Sequence, residues 1–382
     1  MSHSIETICV HGGEHKFQDE AKSLTMPIFQ TAAWGHTKLG HNDNGFDYTR
    51  ISNPTRAHLE ETVSALEGAA KTIAFSSGMA AVTACFELFA PGDHVICSAD
   101  LYGGTVLLFR IIAEKNGIQI SYVDTTDLAA VEAAVNPNTK AIYIETPSNP
   151  MMNVTDIAGC AEIAGKAGAL LIVDNTFLSP YFQNPIALGA DLVIHSGTKF
   201  LAGHNDTISG FLCAADPGVG EKLHQIATAT GGTLSPFDSF LTERGIKTLP
   251  VRMEYQQRSA MAIAQWLKTQ PKVQKVYYVG LPEHPSYAVN AKQSRGAGSM
   301  LSFAVDSGET ALKILQRVKV ITFAESLGGP ESLITLPATQ THRDVPVEDQ
   351  LKLGITDSLL RMSVGLENAD DLIADLDQAM NG

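Results

Sequence analysis

The sequence predicts an α/β protein: a large, mostly parallel sheet followed by a smaller C-terminal α+β domain. Three observations point there. From Lys71 onward, short apolar runs alternate with helical stretches. The runs are near-continuous in Val, Ile and Leu, as strands covered by helices on both faces require. Near Pro250 the alternation gives way to a long amphipathic pattern.

The elements follow in order. Residues 1 to 60 are polar, aromatic and turn-rich, including "GFDYTRISNPTR", and read as an arm or clasp. Residues 61–250 carry seven candidate strands: "TIAF", "HVICSA", "QISYVD", "AIYIE", "LLIVD", "DLVIHS" and "GFLCA". Helices are expected from Gly78 and after "YGG". Residues 251–382 begin in "RSAMAIAQWLKTQP", where Ala260, Ile263, Ala264 and Leu267 fall at i, i+3, i+4 and i+7 of a helix. Strands near "KVYYV", "MLSFAV" and "LLRMSVGL" and a last helix from about Asn368 complete the smaller domain.

Composition narrows the function. Of 382 residues, 44% are hydrophobic and 18% charged, which describes a globular chain with a sizeable core. A net charge of -14 argues against binding nucleic acid or acidic membranes, because phosphates attract an excess of Lys and Arg. The cysteines Cys9, Cys85, Cys97, Cys160 and Cys213 are widely spaced with no C-x-x-C pair, as for reduced core thiols of a cytoplasmic protein. No stretch approaches the ~20 apolar residues of a membrane span, and "MSHSIETICVHGG" lacks the pattern of a secretory signal. A small-molecule enzyme is the resulting expectation.

Ligands of open α/β sheets sit beyond the carboxyl ends of the strands. In "AFSSGMAAV" a strand, a small-residue turn and a helix start follow one another, so the amides of Gly78 and Met79 either cradle a phosphate or open an ordinary capped helix. Asp174 ends "LLIVD" as a helix cap or as an ion partner in a cleft. Glu145 ends the preceding strand, with Asn149 just beyond it in "ETPSNP", and Tyr102 follows another strand in "DLYGG". In "DLVIHSGTKFLAGHND" a lone lysine, Lys199, follows a buried strand. Either it snorkels to water or its amine is held for covalent work.

Competing motifs are missing. There is no P-loop, no G-x-G-x-x-G fingerprint and no G-x-S-x-G elbow. His195 and His204 flank the lysine at a spacing unlike that of a metal motif, so no metal site is assigned and His204 reads as a structural hydrogen-bond partner. An amine, an acid, an aromatic ring and a phosphate nest together suit pyridoxal phosphate, whose ring is stacked upon and kept electron-poor by an acid at its nitrogen.

At this point the chain resembles the pyridoxal-phosphate enzymes of cysteine and methionine metabolism. The likeness runs from "YTRISNPTR" through "SSGMAA", "DLYGGT", "ETPSNP", "VDNTFLSPYFQNPIALGAD" and "HSGTKFLAGHND" to "AESLGGPESLITLPATQTH" and "GITDSLLRMSVGLE". The resemblance implies a fold-type I pyridoxal-phosphate enzyme. It implies that Lys199 is the Schiff-base lysine and proton carrier, that Asp174 pairs with the pyridine nitrogen, and that Tyr102 stacks on the ring and moves a proton. Gly78, Met79, Ser196 and Thr198 would hold the phosphate, while Tyr48 and Arg50 would reach the phosphate of a neighbouring subunit. A homo-oligomer follows, usually a tetramer of dimers with shared active sites. Arg361 would grip the α-carboxylate of an amino-acid substrate, with Asn149 and Ser326 nearby.

Four positions bear on which member this is. Many relatives carry arginine where Leu107 stands, to hold a distal carboxylate; Arg110 or Arg343 are candidates to replace it. Gly104 stands where methionine γ-lyases have cysteine, and Leu327 where some β-lyases have tryptophan. Thr335 stands where animal-type γ-lyases tend to have glutamate and synthases a small hydroxyl residue. The missing arginine weakens tight selection for cystathionine, and Thr335 leans toward the synthase or a bacterial lyase; taken with "DLYGGT" and "FLSPYFQNP", the reading favours a bacterial-type cystathionine γ-lyase with relaxed C–S lyase activity, ahead of a γ-synthase or O-acylhomoserine sulfhydrylase.

Overall fold

The structure, a computed structural model, describes residues 3–12, 23–39, 45–343 and 345–382. Seven strands form the large sheet: β1 (Lys71–Phe75), β2 (His94–Ser98), β3 (Gln119–Val123), β4 (Thr139–Glu145), β5 (Leu170–Asp174), β6 (Leu192–Ser196) and β7 (Gly210–Ala214). Their order is β1-β7-β6-β5-β4-β2-β3, and all seven coincide with the apolar runs read from the sequence. Alternate residues feed two cores. Ile142, Ile144, Leu171, Val173 and Val193 pack on one face, whereas Ala141, Tyr143, Ile172, Leu192 and Ile194 pack on the other. Burial on both faces is why these strands show no polar alternation.

β7 is the exception to the parallel arrangement, pairing antiparallel with both β1 and β6. The connection from β6, residues 197–209, contains no helix to carry the chain back across the sheet, so the next strand returns in the opposite sense. Lys199 lies in that connection.

A second sheet holds β8 (Val273–Tyr277), β9 (Met300–Val305), β10 (Thr322–Phe323), β11 (Leu333–Thr335) and β12 (Leu359–Ser363) in the order β10-β11-β12-β9-β8. β10 and β11 are too short, at two and three residues, to leave a periodic trace in the sequence. The amphipathic helix spans Leu249–Leu267 and starts with proline in its first turn, where a missing N–H is harmless. Its early residues Leu249 and Met253 pack into the core of the large sheet, and Ala260, Ile263 and Leu267 into that of the small one.

Within the expected arm, "SNPTR" proves to be a helix start. Asn53 accepts from the Thr55 amide at 3.0 Å and Pro54 opens Pro54–Glu67, which buries Leu59, Val63 and Leu66. The five cysteines are buried and unpaired. Among the described residues no helix is long and apolar enough to cross a membrane.

Candidate active site

The carboxyl ends of β1, β2, β4, β5 and β6 converge on a cavity of about 290 Å³. Ten of the twelve site residues named from the sequence line it: Gly78, Met79, Tyr102, Asn149, Asp174, Ser196, Thr198, Lys199, Ser326 and Arg361.

Gly78 and Met79 form the first turn of helix Gly78–Phe86, and the preceding Ser77 caps it by accepting from the Ala80 amide at 3.1 Å. The first amides of a helix have no partner within it and present positive charge. Glycine at 78 suits this packing, since a Cβ there would approach the Cβ of Ser196 to 3.0 Å and push it back by a few tenths of an ångström. That close approach brings Ser196 beside the helix N-terminus, as a phosphate cradle needs. The hydroxyl of Thr198 donates to the Ser209 carbonyl at 3.1 Å and accepts from its amide at 3.0 Å, so binding a phosphate would require its proton to turn away from Ser209.

Asp174 points into the cavity from the end of β5. Its Oδ1 accepts from the Thr176 amide at 3.0 Å and the Thr176 hydroxyl at 2.6 Å. Burial raises its pKa, and the Thr176 bonds oppose that rise by stabilising the carboxylate. Thr176 was missed in the sequence, although "DNT" is the spacing at which an aspartate folds back on its own turn.

Lys199 neither snorkels nor stands alone. Its Nζ donates to Ser326 Oγ at 2.9 Å. Burial and the neighbouring Arg361 charge lower its pKa from 10.5 to about 8, with Glu325 acting in the opposite sense. The turn that presents it is fixed from behind by buried Arg252, which donates to the carbonyls of Phe200 at 2.9 Å and Gly245 at 2.8 Å.

Arg361, on β12, donates to Asn149 Oδ1 at 2.9 Å and to the Ser326 carbonyl at 3.0 Å, while its buried Nε has no hydrogen-bond partner. Burial depresses its pKa to about 10, which leaves it cationic at neutral pH. Glu145 ties two cavity loops together by accepting from the Tyr102 amide at 2.9 Å and the Asn149 amide at 3.1 Å. Its pKa is pushed well up, first by burial and then by the nearby Asp174 charge. Tyr102 stays 41% exposed at the rim. A Cβ on Gly104 would meet its ring at 2.6 Å, so glycine at 104 makes room for that ring. Glu325 and Thr341, not singled out in the sequence, also line the cavity.

Tyr48 and Arg50 are not brought to this cavity. Arg50 donates to the Thr228 carbonyl and lies over the Tyr48 ring, 5.5 Å from its centroid. His195 is buried, with Nε2 2.6 Å from Glu67 Oε1, and His204 Nδ1 lies 2.8 Å from the Ala202 carbonyl. Leu107 is half-exposed outside the cavity lining, as is Arg343; Arg110 lines a second cavity instead. Leu327 lines the active cavity, whereas Thr335 is buried beside it, opposite Arg361 on the neighbouring strand.

The family model for Cys/Met metabolism PLP-dependent enzymes matches residues 6–381. The chain belongs to that family. The Cys/Met metabolism enzymes depend on pyridoxal phosphate, and the donors present fit it: a depressed amine, a half-buried carboxylate lining the same cavity and a helix N-terminus with glycine in its first turn. Within the family, the chain is 47% identical to cystathionine gamma-lyase of Bacillus subtilis (strain 168), over 98% of both chains. It is 46% identical to cystathionine gamma-synthase of Haemophilus influenzae, over 99% of this chain and 98% of that one. The crystal structure of cystathionine gamma-lyase from Lactobacillus plantarum complexed with L-serine superimposes with a TM-score of 0.96 at 43% identity, covering 99% of this chain and 98% of that one. This is therefore a fold-type I enzyme of trans-sulfuration chemistry.

Proposed function

We propose that this enzyme is a carbon–sulfur lyase of the cystathionine γ-lyase type, converting L-cystathionine and water into L-cysteine, 2-oxobutyrate and ammonia, with β-elimination as a side activity. The observation that carries this reading is the charge layout of the cavity. Arg361 is the one arginine among its described lining residues, and Glu325 is a carboxylate beside Lys199. One guanidinium suits one α-carboxylate, and Glu325 suits the second ammonium of a diamino acid. Among the described lining residues no second arginine clamps a distal carboxylate. Elimination only has to release a thiol, whereas replacement must also hold and aim an incoming one.

Pyridoxal phosphate supplies an electron-poor ring that acidifies the α- and β-carbon protons of the amino acid it carries. Lys199 would anchor it through Nζ, Asp174 would face its ring nitrogen, and Tyr102 would cover its ring. Gly78, Met79, Ser196 and Thr198 would take its phosphate, with Tyr48 and Arg50 serving the cavity of a neighbouring copy in a homo-oligomer, a tetramer by resemblance. Arg361 orients the substrate carboxylate, itself steered by Asn149 and the Ser326 carbonyl. The Lys199 amine, with a pKa of about 8, has a usable neutral fraction near pH 7 and removes the α-proton, then a β-proton. Tyr102, at the rim, delivers a proton to the departing sulfur.

The second reading is γ-replacement on an O-acylhomoserine, favoured by the small hydroxyl of Thr335 opposite Arg361. Incubation with L-cystathionine separates the readings. 2-Oxobutyrate with cysteine supports γ-elimination, and pyruvate with homocysteine marks β-elimination as the main reaction. Inertness until O-acylhomoserine and a thiol are supplied sinks the lyase assignment.

A further inference from the structure

A second cavity of about 270 Å³ lies against the active cavity, and the two share a wall. Three pairs of consecutive residues build that wall. Tyr102, Thr105 and Thr341 line the active cavity, while Leu101, Val106 and His342 line the second one. The wall is thin: a Cβ on Gly103 would come within 2.5 Å of the Thr341 carbonyl oxygen, and Thr341 Oγ1 lies 2.9 Å from His342 Nδ1. A molecule in the second cavity therefore presses on residues whose chain neighbours face the substrate.

The chemistry of the second cavity selects its occupant. Leu101, Val106 and Val345 give it a buried apolar floor. At its mouth Lys352 donates to Asp349 at 2.9 Å, so those two charges cancel. Among the described lining residues Arg110 is then the one charge left over, a guanidinium on a chain of net charge -14. His342 is 1% exposed, and its Nε2 lacks a well-formed hydrogen bond. An apolar pocket with a guanidinium in its lining fits a monoanion with an apolar tail.

We propose that this cavity binds a small monocarboxylate with a short apolar chain, and that its occupancy alters turnover through the shared wall. The coupling runs from Leu101 and Val106 to Tyr102 and Thr105, and from His342 to Thr341. The site is distinct from the substrate site whichever sulfur amino acid the enzyme prefers.

The probe is 4-methylpentanoate, which has neither amine nor carbonyl to react with the cofactor, titrated calorimetrically onto the cofactor-loaded enzyme. One saturable site is expected to persist in Arg361→Gln, where the carboxylate anchor of the active cavity is gone. Binding should weaken by about tenfold or more in Arg110→Ala, and Val106→Trp should block it by filling the floor. Saturating probe should change kcat for the preferred amino acid in wild type and not in Arg110→Ala, whose activity without probe stays at the wild-type level. Binding that vanishes in Arg361→Gln but survives Arg110→Ala places the probe in the active cavity and overturns the site. No saturable binding overturns the ligand class, and binding without a change in kcat overturns the coupling.

Discussion

Lys199 Nζ donates to Ser326 Oγ at 2.9 Å, which joins the connection after β6 to the loop between β10 and β11. The amine of the large sheet is thus held by a hydroxyl from the small one. Ser326 has a φ of +85°, outside the usual region for a non-glycine residue, so this contact is made at some backbone strain.

Ser326→Ala removes the acceptor for the ammonium and so favours the neutral amine. The Lys199 pKa, already lowered to about 8 by burial and Arg361, should fall further. Acylation of Lys199 in cofactor-free enzyme, followed by mass spectrometry across pH, reports the midpoint. A midpoint that moves upward is incompatible with this account.

The same depressed pKa makes stability depend on pH. Lys199 titrates near 8 when folded and near 10.5 when unfolded, so between those values the unfolded chain binds more protons and stability rises with pH. Below about pH 8 the destabilisation is fully present, on the order of 3 kcal/mol before screening of this partly exposed group lessens it. Lys199→Met should flatten that part of the curve. Urea melts of the two cofactor-free proteins at pH 8 and pH 10 test this by difference, which cancels the contributions of buried Cys and Tyr. Parallel curves would exclude Lys199 as the source.

Thr176→Val deletes the 2.6 Å hydrogen bond to Asp174 Oδ1 and the 2.9 Å acceptor of the Ser196 amide, and leaves the bond from its own backbone amide to Asp174. With less support for its carboxylate form, Asp174 should have its burial-raised pKa pushed higher still. A lost bond to a charged group is worth about 1.5–3 kcal/mol. Cofactor affinity should drop by about tenfold or more, with the larger loss at lower pH, where Asp174 protonates first. Fluorescence titration with pyridoxal phosphate at two pH values measures both effects. An unchanged affinity would remove Thr176 from the site.

What was legible in the sequence divides along physical lines. The inner strands of the large sheet were readable because burial on both faces forces apolar runs, whereas the half-exposed edge strand β3 was readable from its place in the alternation. Asp174, Asn149 and Tyr102 were readable because strand ends aim at one edge. Thr341 and Glu325 were missed because they come from loops near the small sheet, whose approach to the cavity depends on packing between distant segments. The helix Pro54–Glu67 was missed because its capping signal "SNPTR" lay within a turn-rich stretch read as an arm. Arg110 shows the limit of helical spacing: one turn on from Leu107, it faces a different cavity.

Arg50 and Tyr48 lie together away from the cavity of their own chain, which suits residues that serve a neighbouring copy. If so, Arg50→Ala and Lys199→Ala each inactivate the enzyme, but through different subunits of a shared site. After subunit exchange, a mixture should recover roughly one quarter of wild-type activity, from mixed pairs that contain one intact site of two. A mixture as inactive as its parents would mean that each chain uses its own Arg50.

Leu107 is 43% exposed on helix Gly103–Asn116, which follows Tyr102 directly, so a longer side chain there can extend over the cavity mouth without displacing core. Leu107→Arg would add a second guanidinium to a cavity whose described lining has only Arg361. For L-cystathionine, which has a distal carboxylate, the pair formed would be partly solvent-exposed and worth about 1 kcal/mol, so KM should fall by about fivefold. The added contact is the same in ground and transition states, so kcat should hold. Sulfur amino acids without a distal carboxylate, such as L-homocysteine, should show no change in KM. An equal fall for both substrates would mean that the arginine acts by general charge, and no fall for either would mean that this helix does not border the path of the distal carboxylate.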